Sequence, residues 1–131
     1  ILKGALGEGL ENTLGIESEV EFIELYEGQP LFGDVCSFLK ENNFEFFDFI
    51  VEYRYGRKEL NRKGQLSFAD ALFLRTPEYV KEKYDAGYYS QEKLIKYMKI
   101  CSVYRKLDLV EVLSEYFKHE EKIVCEANKF K

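Results

Sequence analysis

Residues 14–23, LGIESEVEFI, alternate between two kinds of side chain, and this alternation constrains the fold more than any other feature of the sequence. Apolar residues and Ser18 occupy one side, whereas Glu17, Glu19 and Glu21 occupy the other. Because successive side chains of a β-strand point to opposite faces, a period of two predicts a strand. Three acids on one face are typical of a face in contact with water.

A tight turn of sequence YEGQP, Tyr26–Pro30, follows this strand and leads into a predicted helix. Pro30 suits the first turn of that helix, where a missing N–H does no harm. An apolar stripe at helical spacing continues to Leu39, and Asn42 and Asn43 are predicted to end the helix.

Two further strands are predicted over residues 44–55 and 66–75. The first is too apolar for a strand with one face in water, and the second is almost continuously apolar. A charged loop joins them, so the simplest arrangement is an antiparallel pair.

Helix-forming residues dominate from Glu78 onward. Apolar residues recur at helical spacing over residues 91–106 and again from Leu109 to near Phe130, with a short joint at Leu107-Asp108. This pattern predicts a helical hairpin. The chain is therefore predicted to be α/β, with one part over residues 1–76 and a helical extension over residues 77–131.

Composition excludes several classes of protein. The chain carries 19 basic and 24 acidic residues, a formal charge of −5, which argues against general binding to nucleic acid or to an anionic membrane. No apolar run is long enough for a membrane span, and no signal-peptide pattern opens the chain. We therefore expect a cytoplasmic location, with Cys36, Cys101 and Cys125 as three free thiols.

A basic loop offers an RNA-binding hypothesis, because cations flanked by tyrosines can bind phosphates and stack on bases. A solvated hairpin tip, charged to prevent aggregation, is the favoured alternative for an acidic chain. The cations concerned are Arg54, Arg57, Lys58, Arg62 and Lys63.

Metal and hydrolase chemistry have little support. His119 is the single histidine, and Glu115 one helical turn before it is its one nearby partner, which makes a poor metal site. The nucleophile motif G-x-S-x-G is absent. Cys36 lies on the apolar side of its helix, so a core position is favoured over a nucleophile.

Acids at the end of the first strand suggest a binding crevice. In open α/β sheets ligands bind beyond the carboxyl ends of the strands. Glu19 and Glu21 lie near such an end, and Tyr26 and Gln29 follow in the loop. An ordinary solvated strand end fits the same pattern equally well.

Three segments, ILKGA, SEVEFIELYEGQPLFGDVCSFLKENNFEFFDF and ADALFLR, resemble in order and spacing the C-terminal half of the FkbM-family methyltransferases. These enzymes are S-adenosylmethionine-dependent O-methyltransferases that act on hydroxyls of sugars, polyketides and similar natural products. The resemblance covers residues 1–76, and the strand with its Tyr-x-Gly-Gln-Pro turn is its most specific part.

The resemblance implies the C-terminal portion of a Rossmann-like class I methyltransferase sheet. Leu14 to Phe22 would be strand five, Phe44 to Arg54 strand six, and Leu66 to Arg75 strand seven. The last strand would lie beside strand five, antiparallel, and be buried on both faces.

The resemblance also implies a division of roles. Glu19 or Glu21 would accept the proton of a small-molecule or sugar hydroxyl, Tyr26 and Gln29 would contact that acceptor, and Asp70 would be structural. The cofactor-binding half of the family would lie upstream of this chain, which begins with Ile1 rather than Met. We therefore expect S-adenosylmethionine to bind the parent protein and not this fragment, which would be inactive alone.

Two interaction hypotheses complete the predictions. Strand 14–22 would have an open edge in this piece, which predicts a homodimer through that edge. As an alternative function, the chain would be a non-catalytic module whose helical hairpin, residues 91–130, docks on a partner. Substitution of Leu94, Met98 and Leu113 distinguishes docking from core packing.

Overall fold

A computed structural model describes residues 8–58 and 64–130, and the chain divides into two compact units, Ile1–Leu74 and Arg75–Lys131. The segment ILKGA and the loop cations Arg62 and Lys63 lie outside the described residues.

The first unit is built on a three-stranded sheet of order β1-β3-β2. Its strands are β1 (Gly15–Glu21), β2 (Glu45–Tyr55) and β3 (Gln65–Leu74), and β3 is antiparallel to both neighbours. Strands β1 and β2 therefore run in the same direction. The mixed α/β class and the antiparallel pairing of β2 with β3 are confirmed.

Over residues 8–58 and 64–74, this unit also contains helices α1 (Glu8–Glu11) and α2 (Phe32–Glu41). The predicted place of Pro30 in the first helical turn is wrong, because Leu31 is the N-cap and Pro30 precedes it. The Leu31 N–H donates to the Asp34 carboxylate at 2.9 Å, and this side chain satisfies an N–H that a helix end leaves unpaired.

One face of the sheet packs into the core of the unit. Ala69 and Ala71 of β3 are fully buried there, opposite Val20 and Ser18 of β1 respectively. Phenylalanine rings cluster around them with centroids 4.8–5.8 Å apart, which is the spacing of favourable aromatic pairs. The rings are those of Phe22, Phe32, Phe46, Phe49 and Phe73.

Strand β3 is buried on both faces at its C-terminal end, where Leu72 and Phe73 are 1% and 0% exposed. This confirms the burial expected from its almost continuous apolar sequence. The same expectation for β2 is wrong: it is an outer strand, and Ile50, Val51 and Tyr55 are exposed. Apolar composition alone did not reveal which of the two strands lies in the centre.

Over its described residues 75–130, the second unit contains four helices, and three of them lie where a two-helix hairpin was predicted over residues 91–130: α3 (Pro77–Asp85), α4 (Gln91–Val103), α5 (Leu107–Tyr116) and α6 (Glu121–Asn128). The predicted joint at Leu107-Asp108 is the start of α5. The predicted long second helix is broken between α5 and α6, because the chain turns over residues 117–119.

The core of the helical unit contains the residues chosen to test docking. Leu94, Met98 and Leu113 are all fully buried. Tyr97 is fully buried beside them, and its hydroxyl donates to the Arg75 carbonyl oxygen at 2.6 Å. Those helix faces are therefore core.

Three helices end in the same way, with a left-handed residue one position beyond the C-cap. These residues are Asn43 (φ 65°), Gly87 (φ 84°) and Arg105 (φ 60°). In each case the next N–H reaches back to a helix carbonyl, as Phe44 donates to Leu39 at 2.9 Å. These are Schellman motifs, and the first confirms the predicted helix end at Asn42 and Asn43.

Gly64 is required at the start of β3. A Cβ atom there would lie 2.0 Å from the Tyr55 carbonyl oxygen and 2.5 Å from the carbonyl carbon. Gly64→Ala is therefore expected to lower the free energy of unfolding by about 1–3 kcal/mol, because backbone of the paired strand would have to move. Denaturant titration followed by circular dichroism measures this loss. Gly33→Ala is the control, since nothing lies within 4 Å of its added carbon, and an equal loss in both variants would contradict the assignment.

Arg105 and Gly87 occupy equivalent left-handed positions after two helices, so exchanging their residue types should change stability in opposite directions. Left-handed backbone is unfavourable for arginine and natural for glycine. Arg105→Gly is expected to raise the free energy of unfolding by roughly 0.5–1 kcal/mol, and Gly87→Ala to lower it by a similar amount. Thermal and denaturant unfolding measure both; a change of the same sign in the two variants would refute the backbone explanation.

Candidate functional site

The two acids predicted as catalytic lie on the sheet face opposite the core. Glu19 is exposed in the middle of β1, and Glu21 is half-buried as its last residue. Val20 between them is fully buried on the core face. The period-two pattern therefore places both carboxylates on one face, and it places Glu21 at the carboxyl end of the strand.

Glu19 and Glu21 interact directly. Burial raises the pKa of the Glu21 carboxyl, and a hydrogen bond with Glu19 and the negative charge of Glu19 raise it further. The direction of this shift means that the folded chain holds a proton on Glu21 more tightly than an isolated carboxyl would hold it.

Asp70 adds a third carboxylate to this face. It lies directly opposite Glu19 in the β1–β3 register. Like charges facing each other across a strand pair are destabilising, so Asp70 adds to the repulsion between the carboxylates of this face. Asp70 was predicted to be structural, because the sequence of either strand alone does not give the register that places Asp70 opposite Glu19. The one signal for Asp70 was that an acid lies inside an otherwise apolar strand.

The predicted turn after β1 is confirmed, and side chains of the same loop stabilise its backbone. Gly28 has a φ of 77°, and the Gln29 N–H donates to the Tyr26 carbonyl oxygen at 3.1 Å. The Gln29 side-chain oxygen accepts from the Leu25 N–H at 2.8 Å, and the Glu24 carboxylate accepts from the Gly28 N–H at 2.8 Å. The sequence places glycine where the turn needs positive φ.

Tyr26 and Gln29 have different surroundings. The Tyr26 ring is 63% exposed at the tip of the turn, whereas the Gln29 side chain is bound to the loop backbone. Within residues 8–58 and 64–130, no hydrogen bond joins Glu19 or Glu21 to either of them. The structure therefore brings the predicted residues together as two pairs, Glu19 with Glu21 and Tyr26 with Gln29.

Two cations of the predicted basic loop, Arg54 and Arg57, form contacts within the β2–β3 hairpin. Arg54 donates to the Gly64 carbonyl oxygen at 3.2 Å and forms an ion pair with Glu52 at 3.1 Å. Arg57 donates to the Gln65 side-chain oxygen at 3.4 Å. These bonds tie two of the predicted cations to the β2–β3 hairpin itself.

The metal hypothesis finds no support in the described part of the chain, where no group of three or more His, Cys, Asp or Glu residues is arranged to hold an ion. His119 is exposed in the turn after α5. The assumption that Glu115 and His119 share a helix face is wrong, because α5 ends at Tyr116.

The three cysteines are free thiols, as predicted. Cys36 packs against the core of the first unit, and burial raises the pKa of its thiol. Cys101 is fully buried, and burial raises its pKa to about 12. Neither thiol is therefore activated as a nucleophile.

Membrane insertion through a helix is not supported either. Across the described ranges, every helix is too short or too polar to cross a bilayer.

Comparison with known proteins gives no relative. The chain matches no protein-family model, no curated protein and no solved structure. The motifs and geometry of the chain therefore have to support any functional conclusion.

Glu19→Gln removes one charge from the acidic face. We expect the free energy of unfolding at neutral pH to rise by roughly 0.2–1 kcal/mol, because Glu19 no longer faces Asp70 and Glu21. In the parent chain the raised pKa of Glu21 means that the folded state holds its proton more tightly than the unfolded state. Stability is therefore lost as pH rises through the folded pKa of Glu21, and the variant should show a smaller loss.

Urea titrations over a pH series measure both effects. Glu27→Gln, in the exposed turn, is the matched control for removing one charge from an acidic chain. If the two variants had the same pH dependence, the Glu19–Glu21–Asp70 interaction would be excluded as the cause.

Proposed function

We propose that this chain is the acceptor-side part of a S-adenosylmethionine-dependent O-methyltransferase of the FkbM type. The observation that carries the proposal is the strand order. The last strand, β3, lies antiparallel between β1 and β2, and α2 connects those two parallel strands. This is the arrangement that the sequence resemblance implies for strands five, seven and six.

The acidic pair would perform the proton transfer. A hydroxyl becomes a better nucleophile when a carboxylate accepts its proton. Glu19 is the more exposed of the two carboxylates, so we assign proton acceptance to Glu19. Glu21 then positions the Glu19 carboxylate through their hydrogen bond.

The turn would contact the acceptor. Tyr26 presents an exposed aromatic ring, which suits the apolar face of a sugar and carries a hydroxyl for a hydrogen bond. Gln29 acts on the backbone, since its bond to the Leu25 N–H holds the turn. Gln29 is therefore a positioning residue rather than a direct contact.

S-adenosylmethionine supplies the methyl group as a sulfonium. The β1–α2 connection does not fit this cofactor, because its Leu25, Gly28 and Leu31 N–H groups already bind side chains of the same loop. We therefore assign cofactor binding to other parts of the parent protein and derive no step through the cofactor here.

Methyl transfer is the direct test. The complete product of the gene that encodes this sequence is expected to transfer a labelled methyl group from S-adenosylmethionine to hydroxyls in a panel of sugars and polyketides. Glu19→Gln is expected to lower kcat by about 10²-fold or more, which is the usual contribution of a positioned base. Radiolabel incorporation at saturating cofactor measures this loss.

Glu27→Gln is the matched control and should retain activity. Because Glu19→Gln is expected to stabilise the sheet, unfolding would not explain its lost activity. The proposal fails if the complete product neither binds S-adenosylhomocysteine nor transfers methyl groups. Calorimetric binding of S-adenosylhomocysteine to the 131-residue chain itself would overturn the assignment of cofactor binding to other parts of the protein.

A further inference from the structure

Strand β2 pairs with β3 along one edge, and no strand of the described residues pairs with its other edge. Every residue from Ile50 to Tyr55 is exposed. The apolar side chains among them include Val51, Tyr53 and Tyr55, which are 41%, 41% and 56% exposed. Long apolar edge strands are templates for pairing with another strand, so this edge is suited to adding one.

Irregularities in the β2–β3 register decide which part of β2 can pair regularly. The register with β3 skips Phe47 and Ile50, so β2 carries an extra residue at each of these points. The third irregularity, between Tyr53 and Arg54, adds its extra residue to β3 instead. A bulge bends its strand and interrupts the ladder. Residues 51–55, VEYRY, are therefore the longest part of β2 that runs without an extra residue.

The sequence of this segment is complementary to itself. When two copies pair antiparallel with Tyr53 opposite Tyr53, Val51 lies opposite Tyr55 and Glu52 lies opposite Arg54. Cross-strand pairs of opposite charge, of two aromatic residues, and of an aromatic with a β-branched residue are all favourable. Each position of the segment thus faces a favourable partner in this alignment.

The charged residues select this alignment over its neighbours. Glu52 and Arg54 form an ion pair of 3.1 Å within the chain, so their side chains lie on the same face of β2. In the alignment about Tyr53, each guanidinium would lie between its own carboxylate and that of the second copy, and its five N–H donors allow both contacts. An alignment centred on Glu52 or on Arg54 would place that charge opposite itself, which is unfavourable.

We propose that the β2 edge is the interface of a homodimer, in which residues 51–55 of two copies pair antiparallel about Tyr53. The occupant is a second copy because the segment is complementary to itself. The other outer strand, β1 (Gly15–Glu21), contains three acids and no basic residue, so it lacks this complementarity. A strand pair of this length is small beside a standard interface of about 1,600 Å², and we expect a weak dimer that depends on concentration. The proposal does not rest on the methyl transfer proposed above.

Sedimentation equilibrium of the 131-residue chain, over a concentration series up to the millimolar range, measures this dimer. Glu52→Arg is expected to weaken it roughly tenfold or more, because both cross-strand ion pairs become repulsions between cations. Adding Arg54→Glu to Glu52→Arg restores opposite charges across the interface and should recover dimerisation. Glu45→Arg makes the same change of charge at an exposed position of β2 outside the paired segment. It is the matched control and should dimerise as the parent chain does.

Disulfide cross-linking tests the alignment independently of charge. Residue 53 lies opposite itself, with Cα atoms about 4.5–5.5 Å apart, which is within the reach of a disulfide. Tyr53→Cys should therefore give a disulfide-linked dimer under mild oxidation. Tyr55→Cys is the control, because its Cα would lie about 14 Å from its counterpart. The parent chain, whose Cys125 is exposed, gives the background, and circular dichroism checks that each variant is folded.

Several results would overturn the proposal. One is a parent chain that stays monomeric over the whole concentration series. Another is a dimer that Glu52→Arg leaves unchanged, which would place the interface elsewhere, for example at the β1 edge. Equal weakening by Glu45→Arg would show a general effect of net charge, and equal cross-linking of Tyr53→Cys and Tyr55→Cys would reject the alignment. Absence of methyl transfer would leave these measurements unaffected.

Discussion

Hydrogen bonding of β3 on both of its edges is the constraint on which the first unit depends. It is the strand with a partner on each side, and its residues Ala69 to Leu74 bring together the core and the acidic face. The small side chains of Ala69 and Ala71 pack on one face, while Asp70 between them points to the other. One strand thus determines both the packing and the position of the third carboxylate.

Local patterns made much of this unit predictable. Period two identified β1, Asn42 and Asn43 identified the end of α2, and a glycine in YEGQP identified a turn that needs positive φ. Each signal lies within a few residues of the structure that it specifies. The central place of β3 was not readable from its residues alone, since β2 is equally apolar and yet lies at the edge; only the resemblance placed the last strand beside the first.

The candidate site, too, was predictable only where its residues lie close together in the sequence. Glu19 and Glu21 share a face because they are two residues apart, so the sequence was sufficient to pair them. Asp70 joins them through a register that spans the unit, and the raised pKa of Glu21 depends first on burial. In the helical unit, periodicity located apolar positions and predicted a break next to Arg105, but it missed the break at residues 117–119, because that segment contains neither glycine nor proline. The contact between the Tyr79 and Tyr89 rings was missed for a related reason, since it needs the turn at Gly87 to bring Tyr89 beside α3.

The register of β1 against β3 also has a consequence for how the chain folds. Gly15 pairs with Leu74, so β1 finds its partner only when nearly the whole unit has left the ribosome. Closing so long a loop is slow compared with forming helices from local contacts. During that interval β1 is an unpaired strand, and two copies aligned antiparallel about Ser18 would bring Glu17 and Glu19 of one against Glu19 and Glu17 of the other. The acids of β1 would thus oppose pairing of the nascent strand with a second copy of itself.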